Sequence, residues 1–482
     1  MSSAVLVVDV GTSSVRAAIV GGDARVEHEE TRPLLPSSPA PGLVEFDPAR
    51  LASTALDAAG AALVAAGPVD AVGIANQRCS TVVWDRATGE PVGPGLGWQD
   101  LRTVGRCLEL RGQQLRLAPN ASATKLEWLL EQVDPRRERD LCFGTVDSWV
   151  AWTLSEGGLH VTDATNAGVT GLLTADAASW SEEALDALRV PAAMLPRIVD
   201  SSGAVGEATA LPGAPPIAGI AGDQQASLLG QGGLVCGDAK ITFGTGGMLD
   251  VVLGATRPDF ETRGPAGTFP IVCRRVGGTD TWGVEAIMLA AGTNIEWLRD
   301  DLGVIATAAE SHDVASQCDD TGDVWFVPAL LGLGTPSWDY GARGTLLGLT
   351  RGTGRPEIVR AVLEGIAHRG ADLLEAAEGD SGVAIPRVRV DGGMSANPTF
   401  VQALADAGQR IVEVSPMLEA TTLGAAFLAG LAVGTWRDEG ELAATWSPRA
   451  RVEPRRKVDR DRWREACRRA AHWIPDLSAV DF

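Results

Sequence analysis

Positive charge is in deficit. The 482-residue chain carries 41 Lys and Arg against 62 Asp and Glu, a net charge of -21, which excludes nucleic acid and anionic membrane as main partners. A polyphosphate ligand must then be met by local devices such as backbone amides, a divalent cation or single arginines. Long apolar runs are also missing: nothing approaches the roughly 18 residues of a membrane span. The opening MSSAVLVVDVG has no basic lead and is interrupted by Asp9, so no signal peptide is expected. The seven cysteines contain no C-x-x-C pair, and an odd number suits free thiols in a reducing cytoplasm. A cytoplasmic protein is expected.

What is present is ordinary globular material, 45% apolar and 21% charged, in a chain too long for one core, so two or three domains are expected. The organising stretch is Pro216 to Gly233, PIAGIAGDQQASLLGQGG. Ile217 to Ala221 reads as a buried strand, and Ala226 to Leu229 as the start of a helix. Asp223 between them lies at the carboxyl end of a strand, where open α/β sheets place ligands. That stretch alone supports equally a catalytic base and a cap for the following helix.

Each half opens in the same way. Val5 to Val10, the tip Gly11-Thr12-Ser13-Ser14 and Val15 to Val20 read as a hairpin, with Asp9 at its entrance and Arg16 just beyond. Ala239 to Phe243, the tip Gly244-Thr245-Gly246-Gly247 and Met248 to Leu253 repeat the pattern. Small-residue tips present amides and hydroxyls suited to phosphate oxygens, and two of them suggest a duplicated phosphate grip. Between them, Asp47 to Ala66 reads as a capped helix, and Val69 to Ala75 as a strand ending in the polar cluster Asn76-Gln77-Arg78-Cys79. Gly97-Trp98-Gln99-Asp100 sets an aromatic face beside polar groups, as sugars and polyols require, although Trp98 serves equally as core. Ser122 to Gln132 reads as a capped amphipathic helix with Ser122 or Thr124 near its start, Thr162 to Thr174 as loop or short strands, Ala286 to Asp301 as a helix and Pro356 to Glu378 as a long helix. Asp391-Gly392-Gly393-Met394 forms a strand-to-helix turn that lets a nucleotide approach the backbone. Beyond Trp436 the chain turns Arg/Glu-rich and reads as a terminal helix with a solvated face.

With these residues laid out, the chain resembles the FGGY carbohydrate kinases, most closely their glycerol kinase branch. The resemblance is carried by DVGTSSVRA at Asp9, GIANQR at Gly73, GWQDLRT at Gly97, SATKLEWLLEQ at Ser122, GIAGDQQASLLGQ at Gly219, KITFGTGG at Lys240, AGTNIEWLRD at Ala291 and VDGGMSANPTF at Val390. It implies an α/β, two-domain, actin-like ATPase (ribonuclease H-like) fold with a central interdomain cleft. The domains would be 1–232, 233–436 and a helical tail 437–482 packed on the second domain. It also implies ATP and Mg2+, with a small polyol or sugar as acceptor, no nucleic-acid or membrane partner, and a homo-oligomer (dimer or tetramer).

Carried over by position, Asp9 and Asp223 would act on magnesium, partly through water, and Asp223 would be the catalytic base. Thr12, Ser13, Ser14, Arg16, Gly244 and Thr245 would meet the phosphates, and Gly292, Glu296, Gly393 and Asn397 would surround the adenosine. Arg78, Trp98, Asp223 and Gln224 match the acceptor-binding positions. Three others depart: Cys79 stands where the glycerol kinase branch has glutamate, Asn120 where it has tyrosine, and Met248 where it has phenylalanine. Losing the carboxylate that accepts hydroxyl hydrogen bonds should weaken glycerol binding. The expectation is therefore an active kinase for a larger or differently substituted polyol or a ketose. The alternatives are a true glycerol kinase and, further off, an actin-like ATPase acting on a protein partner.

Overall fold

The computed structural model describes residues 3–417 and 419–481. Among them, thirteen strands form one sheet. In the first half these are β1 (Ala4–Val10), β2 (Ser14–Gly21), β3 (Val26–Pro33), β4 (Ala71–Asn76), β5 (Ser202–Glu207) and β6 (Pro216–Gly222). In the second they are β7 (Ala239–Phe243), β8 (Gly247–Gly254), β9 (Phe269–Val276), β10 (Thr279–Met288), β11 (Arg387–Asp391), β12 (Ile411–Val414) and β13 (Ala450–Val452). Their order is β13-β12-β11-β7-β8-β10-β9-β5-β6-β4-β1-β2-β3.

The order contains one motif twice. In the first half β1, β2 and β3 run antiparallel, while β4 and then β6 add in parallel on the other side of β1. In the second half β7, β8 and β10 run antiparallel, and β11 and β12 add in parallel beside β7. The halves join where β5 meets β9 through one register pair, Ser202 and Val276. The glycine-tipped hairpins thus occupy matching places, as their sequences suggest.

Each half has its own core. Leu6, Val8, Ile19, Ile74, Trp84 and Trp149 belong to one, and Ile241, Phe243, Leu249, Leu363, Ile366 and Phe400 to the other. Each such side chain contributes about 1.5–3 kcal/mol on burial. Helix α1 (Pro48–Ala66) is capped by Asp47, whose carboxylate accepts from Ala49 and Arg50 amides. By length and composition α1 could cross a membrane, contrary to the reading that no run comes near. Here Leu51, Ala55, Ala58, Ala59 and Ala62 on one of its faces pack into the first core.

Two helices occupy the space between the halves. The first, α2 (Asp223–Gly230), follows β6; α3 (Arg355–Ser381) backs the second half; α4 (Ala420–Val433) follows β12. α2 and α4 are equivalents in the repeated motif, and they cross at glycines. A Cβ on Gly424 would lie 1.7 Å from the Ala226 carbonyl oxygen, and one on Gly230 1.9 Å from that of Ala420. α4 also covers β1, β4 and β6 of the first half, with Leu423, Phe427 and Trp436 packed against Val5, Val7 and Ala218.

Three local expectations are corrected. The segment expected as a helix over 286–301 continues strand β10 to Met288, because Ala286 and Met288 pair with Leu249 and Gly247 of β8; helix begins only at Thr293. Within 162–174 the chain makes one helical turn, Ala164–Ala167, because the Asp163 carboxylate caps it. The tail contains β13 at the sheet edge as well as a helix, α5 (Arg460–Ala470). α5 itself has the expected solvated face, while Trp463, Ala466 and Ala470 are buried against Val327 and Leu333.

Candidate active site

Strand register builds the site. Asp9, Ala75 and Ala221 are neighbours across β1, β4 and β6, and the next row is Val10, Asn76 and Gly222. Three parallel strands therefore end level, and the residues that follow them share one edge of the sheet. Thr165 fixes the last row by accepting from the Gly222 amide at 2.9 Å. Asp223 is the first residue of α2 rather than its cap; Gly222 holds the capping position, with no side-chain bond. The Asp223 side chain is one-third exposed at 33%, and its Oδ1 accepts from the Gln224 amide at 2.8 Å.

Asp9 and Asp223 lie close enough to perturb each other. Burial pushes Asp9 up to about 7; Asp223 and Glu29 add to the rise and Arg16 opposes it. Burial also raises Asp223, with Arg78 the main opposing charge. Two carboxylates on one sheet edge, with β4 between their strands, suit a divalent cation brought by a phosphate chain, since Mg2+ typically takes only one or two protein carboxylates. Among the described residues no cluster of three or more His, Cys, Asp or Glu offers a self-sufficient metal site.

The first hairpin tip faces this edge. The Gly11 amide donates to the Ser14 carbonyl at 3.0 Å, and the Ser13 carbonyl accepts from Leu34. Thr12 Oγ1 accepts from the Trp98 indole at 3.2 Å. Arg16, directly opposite Asp9, pairs with Glu419 before α4 and lies 3.4 Å from Glu29.

Arg78 reaches out from the end of β4. Its Nη2 donates to Glu285 Oε2 at 2.6 Å, its Nε lies 3.6 Å from Asp223, and its buried Nη1 has no hydrogen-bond partner. Cys79 adopts φ +64°, a left-handed conformation, and its thiol donates to the Val169 carbonyl at 3.2 Å. Burial pushes that thiol up to about 11. Ser122, offered with Thr124 for the start of the helix Ala123–Val133, makes no capping bond and donates instead to the Cys79 carbonyl at 2.9 Å. Lys125 of that helix is fully buried and donates to the carbonyls of Trp98 at 3.1 Å and Asn120 at 2.8 Å. One ammonium thus ties together the backbones of two expected acceptor-site residues. Trp98 and Asn120 both present exposed side chains.

The second half supplies the other wall. Gly244 and Thr245 are exposed at the β7–β8 tip, and their carbonyls accept from the Gly292 and Ala291 amides, each at 2.8 Å. The phosphate tip and Gly292 are thereby held together, with Glu296 exposed one turn further on. Gly392 adopts φ +80°, and a Cβ there would meet the Phe243 carbonyl at 2.3 Å, which brings the Gly393 turn against the same tip. Asn397 is committed structurally: its Oδ1 accepts from Phe400 and its Nδ2 donates to Ser311. Met248, half-buried on β8, pairs with Ile287.

Three residues were missed from sequence. Gln224 Oε1 accepts from Lys240 at 2.6 Å, and Lys240 pairs with Asp250 at 2.8 Å. Glu285 holds Arg78, and burial raises it to about 7. The available signal was a charged residue inside the apolar stretch of each of three strands.

The chain matches the FGGY family of carbohydrate kinases in both its N-terminal domain, over residues 4–230, and its C-terminal domain, over residues 239–433. It is 42% identical to the glycerol kinase of Aromatoleum aromaticum over 98% of this chain and 99% of that protein. Against the glycerol kinase of Dechloromonas aromatica the identity is 41%, covering 97% and 98%. The crystal structure of Plasmodium falciparum glycerol kinase with ADP superposes with a TM-score of 0.90 at 26% identity, covering 100% of this chain and 99% of that one. A xylulose kinase from Brucella ovis gives a TM-score of 0.87 at 25% identity, covering 99% and 100%.

Proposed function

The chain belongs to the FGGY family of carbohydrate kinases, a phosphotransferase acting on an alcohol group, and we propose that it moves the γ-phosphoryl of ATP to a hydroxyl of a small polyol. One observation carries this reading. Asp223 stands partly exposed at the level ends of three parallel strands, with Asp9 on the same sheet edge and Arg78 and Gln224 around it.

Phosphoryl transfer needs positioning and charge neutralisation more than covalent chemistry. Asp223 takes the proton of the attacking hydroxyl, and burial helps by raising its affinity for that proton. Arg78 stays charged and orients the acceptor. The exposed tips at Thr12–Ser14 and Gly244–Thr245 receive the phosphates from opposite sides, and the Gly292 and Gly393 turns flank the adenosine. Asp9, with Asp223 through water, would hold Mg2+, which supplies neutralisation of phosphate charge.

Glycerol is the acceptor favoured by the relatives, which are named glycerol kinases along nearly the whole chain. A second reading, a four- or five-carbon polyol or a ketose, is favoured by a specific observation. The Cys79 thiol is turned to the Val169 carbonyl, so no carboxylate accepts hydroxyls at that position, and Asn120 leaves its side open.

The test is ADP release with Mg-ATP across glycerol, tetritols, pentitols, xylulose, ribulose and dihydroxyacetone, with Asp223→Asn alongside. Glycerol giving the highest kcat/KM supports the first reading; a longer acceptor ahead by about tenfold supports the second. Equal turnover by wild type and Asp223→Asn would remove Asp223 from the base role.

A further inference from the structure

We infer that the buried Lys240–Asp250 pair is a positioning device for the acceptor site, turning the amide nitrogen of Gln224, and not its oxygen, toward the substrate. The inference rests on the reading above that Gln224 and Asp223 meet the acceptor.

A glutamine amide can present either a donor or an acceptor, and only its surroundings decide which. Lys240 decides here, because an ammonium has donors alone. Its Nζ donates to Gln224 Oε1 at 2.6 Å and to Thr242 Oγ1 at 3.1 Å, and pairs with Asp250 at 2.8 Å. Two of its donors go to Gln224 and Thr242 and its charge is met by Asp250, so Gln224 spends Oε1 on Lys240 and has Nε2 left to give. Asp250 makes this possible. Both side chains are 0% exposed, and a buried charge needs a partner of opposite sign. Asp250, directly opposite Lys240 on the adjoining strand, is that partner.

The same row extends to Arg78. Glu285 stands directly opposite Asp250 on β10, an unfavourable placement for two carboxylates unless each has its own cation. Asp250 has Lys240 and Glu285 has Arg78. The alternating charges therefore fix both donors of the acceptor pocket, Gln224 Nε2 and the unpartnered, buried Arg78 Nη1. Such a pocket selects an acceptor with oxygens on the carbons next to the attacked hydroxyl. A carbonyl oxygen satisfies it as well as a hydroxyl.

Two variants test this with the best acceptor of the panel. Gln224→Glu keeps an acceptor for Lys240 but removes the donor. Its acceptor KM should rise about tenfold or more, with the KM for Mg-ATP within about twofold and thermal stability kept. An unchanged or lower acceptor KM would mean that the oxygen faces the substrate, and would overturn the inference. The double variant Lys240→Met/Asp250→Leu removes both buried charges together, since stranding either alone is costly. It should raise the acceptor KM alone by a similar factor, and adding Gln224→Glu to it should cost little more. Wild-type KM in the folded double variant, or a common fall in every kinetic constant, would also overturn it. Loss of the Asp223→Asn effect would instead indict the base assignment.

Discussion

Asp9 and Asp223 differ from ordinary surface carboxylates because folding forces them to share one sheet edge. Asp223→Asn should lower kcat by about 10²–10⁴, the usual contribution of a general base, with acceptor KM changed little; steady-state kinetics checks it. Asp9 should reveal itself through pH. Its value rises from 3.8 unfolded to about 7 folded, through burial first. The folded protein therefore holds the Asp9 proton longer than the unfolded chain does. That contribution to stability is full below about pH 4 and is lost as pH climbs through about 7. Asp9→Asn cannot titrate, so the melting temperature of the ligand-free variant should fall less than that of wild type between about pH 5 and pH 8. Activity should follow the opposite trend in wild type. The ionised carboxylate is the form that serves Mg2+, so kcat/KM for Mg-ATP should rise with pH up to about 7.

At the scale of elements, the glycine crossing of α2 and α4 sets where Asp223 sits, since Asp223 opens α2. Gly424→Val would drive a side chain into the Ala226 backbone. It should cost about 1–3 kcal/mol in denaturant unfolding and lower kcat, because α2 must shift. Gly60 of α1 is the contrasting case: a Cβ there meets nothing within 4 Å. Gly60→Ala should stabilise by about 0.5–1 kcal/mol with kinetics unchanged. The element most misjudged from sequence was β10. Its apolar stretch GVEAIMLAA suits a buried strand or a helix equally, and only pairing with β8 selects the strand.

Across the whole molecule, the two halves share a single register pair between β5 and β9, so side chains do much of the joining. Arg78 with Glu285 and Gln224 with Lys240 are two such links. Asp481 of the tail makes a third, with Arg111 and Arg116 of the first half and Arg263 of the second. Asp481→Ala leaves three guanidinium groups together without this shared counter-charge. The melting temperature should fall at low ionic strength and the deficit should shrink in high salt; a salt-independent deficit would point to packing instead.

The sequence by itself determined the strands of the two glycine-tipped hairpins, the strand that ends before Asp223, and the isolated acids Asp9 and Asp223. These are local properties, written in runs of β-branched residues broken by small ones. The repeated hairpins made the duplication visible, and the motifs in order identified the family. Tertiary structure alone decided which charges meet. Lys240, Asp250 and Glu285 lie on three strands, and only sheet register sets them in a row beneath Gln224 and Arg78. Ser122 makes no cap for the same kind of reason: its hydroxyl donates to the Cys79 carbonyl, from 43 residues earlier in the chain. Burial, finally, exists only after folding. A carboxylate reads the same in sequence whether it ends near its usual value or, like Asp9, at about 7, because its cost depends on the water and charges that the folded chain leaves around it.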